Sequence, residues 1–353
     1  MHPRNLHLYF FSPTGGTQRV AGLFAENLNA ADACTDITVH AEAKTFSADD
    51  CLLVFFPVYG GRVPGPCLAR MRALRGTDTP AVLVAVFGNR AVDDALLEMR
   101  DTLTPLGFRV IAAAEVIAPH SVNTDIAAGR PDAADRAKIE GFCTRLAARI
   151  AADAPAEIAV PGDPDYRAYN GLPLKPTGGL RCIRCGLCAD NCPAGAIPKA
   201  APQKVDKHKC ISCLRCIQIC PQSARGVPLP LRLAAAATVK KYCTGRKEPK
   251  FYLQRKTPPR KRSASGAALC YRASASSAVS SPAKKASLRT AVEPFEREQH
   301  AHAHIELTRL VFGVGRAADV AAAALQLGPQ LLLREAAGVA QAAQIVAKIA
   351  IPP

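Results

Sequence analysis

Over about the first 150 residues, short runs of β-branched, aromatic and aliphatic residues alternate with stretches whose apolar positions recur every three or four residues. The first pattern suits half-buried or buried strands and the second suits helices with one apolar face. The predicted strands are residues 6–11, 37–40, 52–58, 81–87 and 109–117. The predicted helices are 17–30, 66–74, 93–106 and 132–152. A strand followed by a helix, repeated, predicts an open parallel α/β sheet.

Five strands in this length suit a flavodoxin-like doubly wound sheet of order 2-1-3-4-5, which takes ligands at the carboxyl ends of its strands. This α/β domain is expected over residues 1–154. Residues 155–179 are rich in Pro, Gly and Asp without a period, and are read as a linker. A cysteine-rich module follows over 180–253, predicted to be a small α+β domain with a short helix over 229–242. Residues 254–353 change abruptly to a Ser/Ala/Lys/Arg mixture, expected to be largely disordered, with weak helical periodicity over 305–351.

Composition changes this picture only slightly. The chain has 353 residues, a formal net charge of +16 and 14 cysteines. Residues 254–353 hold 14 Lys and Arg against 6 Asp and Glu, so half of the surplus lies outside the patterned region. The runs Arg260-Lys261-Arg262 and Lys284-Lys285 lack interleaved aromatics, and nucleic acid is not an expected partner. His300, His302 and His304 have no supporting fold pattern around them. No apolar stretch reaches membrane-spanning length, since the best, 317–333, contains Asp319. With no signal peptide read at the start, the expected compartment is the reducing cytoplasm, where clustered cysteines imply metal rather than disulfides.

Two runs share one form: Cys182-x2-Cys185-x2-Cys188-x3-Cys192-Pro193 and Cys210-x2-Cys213-x2-Cys216-x3-Cys220-Pro221. This is the bacterial ferredoxin pattern, in which the fourth cysteine serves the other cluster. Three thiolates on a tight loop cap three irons of a cubane, and the fourth iron must be met from elsewhere. One 4Fe–4S cluster is therefore predicted on Cys182, Cys185, Cys188 and Cys220, the other on Cys210, Cys213, Cys216 and Cys192. Zinc knuckles also use Cys-x2-Cys pairs, but two four-cysteine runs each closed by Cys-Pro favour iron–sulfur. Cys34, Cys51, Cys67, Cys143, Cys243 and Cys270 lack such spacing and are read mostly as small buried hydrophobes.

Between the first strand and the first helix lies Ser12-Pro13-Thr14-Gly15-Gly16-Thr17, where hydroxyls and backbone amides can wrap a phosphate. Two further loops, Pro57-Val58-Tyr59-Gly60-Gly61-Arg62 and Phe87-Gly88-Asn89-Arg90, follow the third and fourth strands and should rise at the same sheet edge. Together they suit a phosphate-bearing planar ring, FMN, with Tyr59 and Phe87 available to stack. The chain has no Trp.

With those loops, Gly88-Asn89-Arg90-Ala91-x-Asp93-Asp94-Ala95-Leu96 and the double cysteine run in this order, the sequence resembles the EFR-type ferredoxin family over about residues 5–253. The resemblance implies a flavodoxin-like domain fused to a two-cluster ferredoxin, and electron carriage without a stated substrate. It implies phosphate-loop roles for Ser12, Thr14, Gly15, Gly16 and Thr17, and ring-loop roles for Tyr59, Gly60, Gly61, Gly88 and Asn89. Glu248-Pro249-Lys250-Phe251-Tyr252-Leu253 resembles the family's usual end.

Three functions compete on this sequence. A redox relay would join FMN to the clusters, with Arg181, Arg184, Lys199, Lys204, Lys207, Lys209 and Arg215 available to dock an acidic redox protein. A flavin-dependent reductase of a small molecule would need a pocket lined by Arg62, Asn89, Arg90 or His120. A redox sensor would have lost its flavin.

Overall fold

The computed structural model describes residues 4–152, 155–169 and 171–253, which belong to one compact unit. The expected disorder and weak helices beyond residue 253, Cys270 and the three histidines lie outside the described residues.

In chain order the strands are β1 (Asn5–Phe10), β2 (Cys34–Asp36), β3 (Lys44–Phe46), β4 (Asp50–Pro57), β5 (Leu74–Gly76), β6 (Thr79–Phe87), β7 (Phe108–Ile117), β8 (Thr177–Gly178), β9 (Arg225–Gly226) and β10 (Lys250–Tyr252). The helices are α1 (Gly16–Asn27), α2 (Gly65–Met71), α3 (Ala95–Leu103), α4 (Ala133–Ile150), α5 (Leu187–Asp190), α6 (Arg215–Gln218) and α7 (Leu229–Tyr242).

The main sheet runs β10-β7-β6-β4-β1-β2. Five of its strands, β2, β1, β4, β6 and β7, are parallel and stand in the order 2-1-3-4-5. That order defines a flavodoxin-like doubly wound domain. The central strands β4 and β6 are buried nearly end to end, as strands covered on both faces must be. One apolar core packs α1 and α4 on one face through Phe24, Phe55 and Phe142. The other packs α2 and α3 through Met71, Leu96 and Met99.

Three features differ from the expectation. β2 lies earlier than 37–40, because Thr38 leaves the strand: its amide donates to Asp36 Oδ1 and its hydroxyl accepts from Ser12 N. The five-stranded sheet gains a sixth, antiparallel strand, since β10 pairs with β7 in the register Lys250↔Glu115 to Tyr252↔Ala113. Phe251 stacks on Phe142 at 4.6 Å, and the Tyr252 hydroxyl donates to Glu115 Oε1 at 2.7 Å, so a polar–apolar alternation too short to read alone is fixed by its partners. The stretch read as a linker is tied down: Asp94 accepts from Asp163 N and Arg167 N, and Ile158 and Val160 are buried.

The cysteine-rich module repeats its backbone at an interval of 28 residues. Arg184 and Ser212, Gly186 and Leu214, and Gly195 and Ser223 all have positive φ. Ala196 N and Ala224 N each donate to the preceding Cys192 or Cys220 Sγ at 3.3 Å. Each half carries one short helix, α5 or α6, and β8 pairs with β9 across the module.

Candidate functional site

The carboxyl ends of β1, β4, β6 and β7 open on a cleft of about 660 Å³, including its mouth. Of the residues expected around a flavin, Thr14, Gly16, Thr17, Tyr59, Gly60 and Gly88 line it, together with Phe87, Pro119, His120, Ser121 and Val122. Gly15 stands at the N-terminus of α1 at φ +81, and this N-cap residue has no side chain to close the helix end. The free amides of a first helical turn favour an anion there.

Four expected residues, Ser12, Gly15, Gly61 and Asn89, lie outside the lining. The Ser12 hydroxyl accepts from Gln18 N at 2.9 Å, which tethers α1 to the loop. Gly15 supplies a left-handed turn into the helix. Gly60 and Gly61 form the tip of a two-residue turn in which Tyr59 and Arg62 exchange backbone hydrogen bonds, and both glycines need positive φ. A Cβ on Gly60 would stand 2.3 Å from the Tyr169 ring. Asn89 is buried and committed elsewhere: its Nδ2 donates to Cys243 O at 2.9 Å and Gly245 O at 2.7 Å, and its Oδ1 accepts from Lys247 N. Its side chain anchors the return to β10 instead of facing a ring.

The charged groups offered for a substrate pocket are likewise engaged. Arg62 makes a two-pronged bond to Glu98 at 2.6 and 3.0 Å, and Arg90 pairs with Asp93. Only His120 of that group reaches the cleft. Burial lowers its pKa to about 4, so the imidazole is neutral, and its Nδ1 accepts from Val122 N at 3.1 Å.

The cysteines divide between the two runs. Cys182, Cys185 and Cys188 share a small cavity with Cys220 from the second run. Burial pushes the Cys213 thiol up to about 12. Cys192 of the first run and Cys216 of the second pack against the same small cluster of Cys188, Ala189 and Ile197. Among the described residues no three His, Cys, Asp or Glu side chains meet closely enough to hold a single ion. A cubane takes its thiolates at separate corners, so its ligands stand further apart than the four sulfurs of one zinc. The remaining described cysteines carry free thiols; Cys51, Cys67, Cys143 and Cys243 are buried and Cys34 is half-buried.

The two sites adjoin. Leu172 and Ser212, one from the tied-down stretch and one between Cys210 and Cys213, line the same cleft as Thr14 and Gly88. Lys175 Nζ donates to Cys210 O at 2.5 Å, and the Ser212 hydroxyl donates to Leu172 O at 2.6 Å. Arg215, expected to face a partner, turns inward and donates to Pro13 O at 3.1 Å in the loop between β1 and α1. Arg70 on α2 reaches Pro193 O at 2.8 Å. None of these cross-module contacts has a local sequence signal, because each joins residues more than a hundred positions apart or depends on how a loop folds back.

A family model for a 4Fe-4S dicluster domain matches residues 178–245. Two curated proteins are similar over part of the chain. One is the trichloroethene reductive dehalogenase of Dehalococcoides mccartyi, 36% identical over 76 residues, 16% of this chain and 14% of that one. The other is a subunit of the ion-translocating oxidoreductase complex of Methanosarcina acetivorans, 40% identical over 56 residues, 16% of this chain and 21% of that one. The chain thus spans between 14% and 21% of the length of the curated relatives it matches. Oxidised flavodoxin 1 from Bacillus cereus aligns at 16% identity and a TM-score of 0.30, covering 40% of this chain and 96% of that one. The fold assignment stands on the strand order. The chain joins a flavodoxin-like domain to a 4Fe-4S ferredoxin domain, and this pairing defines an iron–sulfur electron-transfer role. Among the described residues no helix is long and apolar enough to cross a membrane.

Proposed function

We propose that the chain is an electron-transfer protein that binds one FMN in the cleft and two 4Fe–4S clusters, as its resemblance to the EFR-type ferredoxins implies. The outer cluster takes Cys182, Cys185, Cys188 and Cys220, and the inner cluster takes Cys210, Cys213, Cys216 and Cys192. Bound FMN exchanges electrons in pairs or singly while each cluster passes one, so the pairing adapts a two-electron donor to a one-electron acceptor or the reverse.

The observation that carries the proposal is the shared wall: Ser212, flanked by two cysteines of the inner set, lines the cleft that Thr14, Thr17 and Gly88 also line. In this reading Thr14, Thr17 and the amides of Gly15 and Gly16 receive the phosphate. Tyr59, Gly60, Gly88 and Phe87 flank the ring, and the backbone of Asn89 shapes that loop while its side chain holds β10. The tied-down stretch and β10 fasten the module at both ends, so the inner cysteines keep their distance from the cleft.

The outer cysteines face the other way. Cys185 is exposed, and around it Leu180, Ile183 and Leu187 leave much of their apolar surface in water. Arg181 and Arg184 flank this patch. An acidic redox protein with an apolar centre fits it, and the names of the curated relatives, both oxidoreductases or parts of one, agree with such a partner. The described cysteines form no disulfide, which suits a reducing compartment, the cytoplasm.

Anaerobic purification of the full chain with iron, sulfide and flavin quantitation tests the assignment. The expected yield is about eight irons, about eight sulfides and about one FMN per chain. Two zincs without sulfide would overturn the cluster assignment, and a brown protein releasing no flavin would overturn the FMN assignment. Electron passage within one chain further predicts a flavin-to-cluster rate in stopped flow that does not change with protein concentration.

A further inference from the structure

Arg225 is 4% exposed, and among the described residues no carboxylate pairs with it. One guanidinium nitrogen donates to Pro202 O and reaches Cys188 Sγ at 3.8 Å, and another donates to Pro176 O at 2.6 Å. Its Nε is buried without any partner. The side chain lines the cavity shared by Cys182, Cys185, Cys188 and Cys220, its backbone amide faces Cys220, and it also reaches Cys216 of the inner set. An arginine stays charged at any ordinary pH, and a buried charge without a counter-ion is costly.

The internal repeat makes the choice of residue specific. Moving back 28 positions, the interval between Cys192 and Cys220, takes Arg225 to Ile197. The preceding residues, Ala196 and Ala224, make the same 3.3 Å bond to their cysteines, so the two positions are structurally equivalent. Ile197 is 5% exposed and packs on Cys188 and Ala189 as part of a small apolar cluster. One half of the module therefore fills this place with an aliphatic side chain and the other with a fixed positive charge.

We infer that Arg225 is the built-in counter-charge of the outer cluster, holding it at a higher reduction potential than the inner one, so that an electron arriving from the flavin side rests nearest the exposed patch. The inference rests on the two-cluster reading above. A cluster bound by four thiolates is negative and gains one further negative charge when it takes its electron. A fixed positive charge and a hydrogen bond to a ligand sulfur both favour that reduced form. The guanidinium reaches Cys188 of the outer set and Cys216 of the inner set, while the side chain lines the outer cavity and its charge also acts on Cys220, so the effect falls mainly on the outer cluster. Ile197 offers the inner cluster no matching charge.

The test is an anaerobic redox titration of the full chain followed by electron paramagnetic resonance, comparing wild type with R225I, R225Q and R225K. Wild type is expected to show two one-electron waves. R225I and R225Q should lower the reduction equilibrium constant of the higher wave at least about tenfold, which is 59 mV for one electron, and move the lower wave less. R225K should recover most of the loss. Should R225I fail to assemble its clusters, R225Q and R225K decide by the same comparison, with iron and sulfide counts as the control. Two intact clusters whose waves stay put in R225Q, or a lower wave that moves as far as the higher, would overturn the inference alone. Fewer than two clusters in wild type would remove the reading beneath it as well.

Discussion

The two halves of this chain are held together by different physics. The α/β domain buries an apolar core on each face of its sheet, with Phe11, Phe24, Phe55, Phe56, Phe108 and Phe142 fully enclosed. The iron–sulfur module has a buried cluster of its own consisting of Cys188, Ala189 and Ile197. It also keeps Arg184, Ser212, Leu214 and Ser223 at positive φ, a conformation costing non-glycine residues on the order of 1 kcal/mol or more each. Hydrophobic burial is enough for the first half. The second half needs its ligands, because in such modules the free energy of binding metal is free energy of folding.

The sharpest way to break this comparison is to remove one ligand. On the proposed ligand sets, Cys213→Ala takes a buried ligand from the inner set and is expected to lower iron from about eight to about four per chain or fewer, with the loss spreading through the interlock proposed for Cys192 and Cys220. The α/β domain should keep its thermal unfolding transition. Limited proteolysis checks the contrast: cleavage should concentrate within residues 178–245, and a variant that resists there would show that the module folds without its cluster.

Next in size is a cavity in the other half. Phe142 on α4 is fully buried between Phe24 and the Phe251 ring of β10. Phe142→Ala should cost about 3–5 kcal/mol of stability in urea unfolding. Iron content should be unchanged under native conditions, since the module draws its stability from a different source. A parallel loss of iron would show that the halves fold as one unit.

What could be read in the sequence follows the same division. Strands β1, β4, β6 and β7 were legible because their apolar runs are long and end in glycine-bearing loops. The 4Fe-4S character of the module was legible because thiolate spacing is a local code. The sixth strand was not: Lys250-Phe251-Tyr252 is three residues long and becomes a strand only against Glu115, Ala114 and Ala113. The engagement of the Asn89 side chain was not legible for a related reason. Its place after a strand marks it for a ligand loop, while its side chain is claimed by carbonyls more than 150 residues away. Arg225 has a local signal of another kind, since aligning the two halves of the module sets it against Ile197.

Asn89 supplies a smaller test of how the halves are joined. Its amide holds Cys243 O and Gly245 O and accepts from Lys247 N, just where the chain leaves α7 for β10. Asn89→Ala leaves these buried groups short of partners and should cost about 1–3 kcal/mol. Hydrogen exchange should accelerate at Lys247 and through residues 250–252 while β4 and β6 stay protected. Equal acceleration in β4 would mean that the return segment is part of the central core.

The smallest effect expected is a slope with pH that belongs to the α/β half alone. Burial holds the His120 pKa at about 4, below its ordinary 6.5, and the Nδ1 that accepts from Val122 N cannot do so once protonated. Between those two values the unfolded chain binds the proton that the folded chain refuses, so stability falls as the pH drops from 6.5 towards 4 and the loss levels off below that. His120→Gln keeps a polar side chain against Gly88 and removes the titration. The difference between wild-type and H120Q unfolding free energies, measured in urea at several pH values across this window, isolates the imidazole from the carboxylates that titrate in both. A shrinking wild-type advantage at lower pH is the expected result. A constant difference would mean that His120 takes its proton as readily folded as unfolded, and that the cleft admits enough water to solvate a charge.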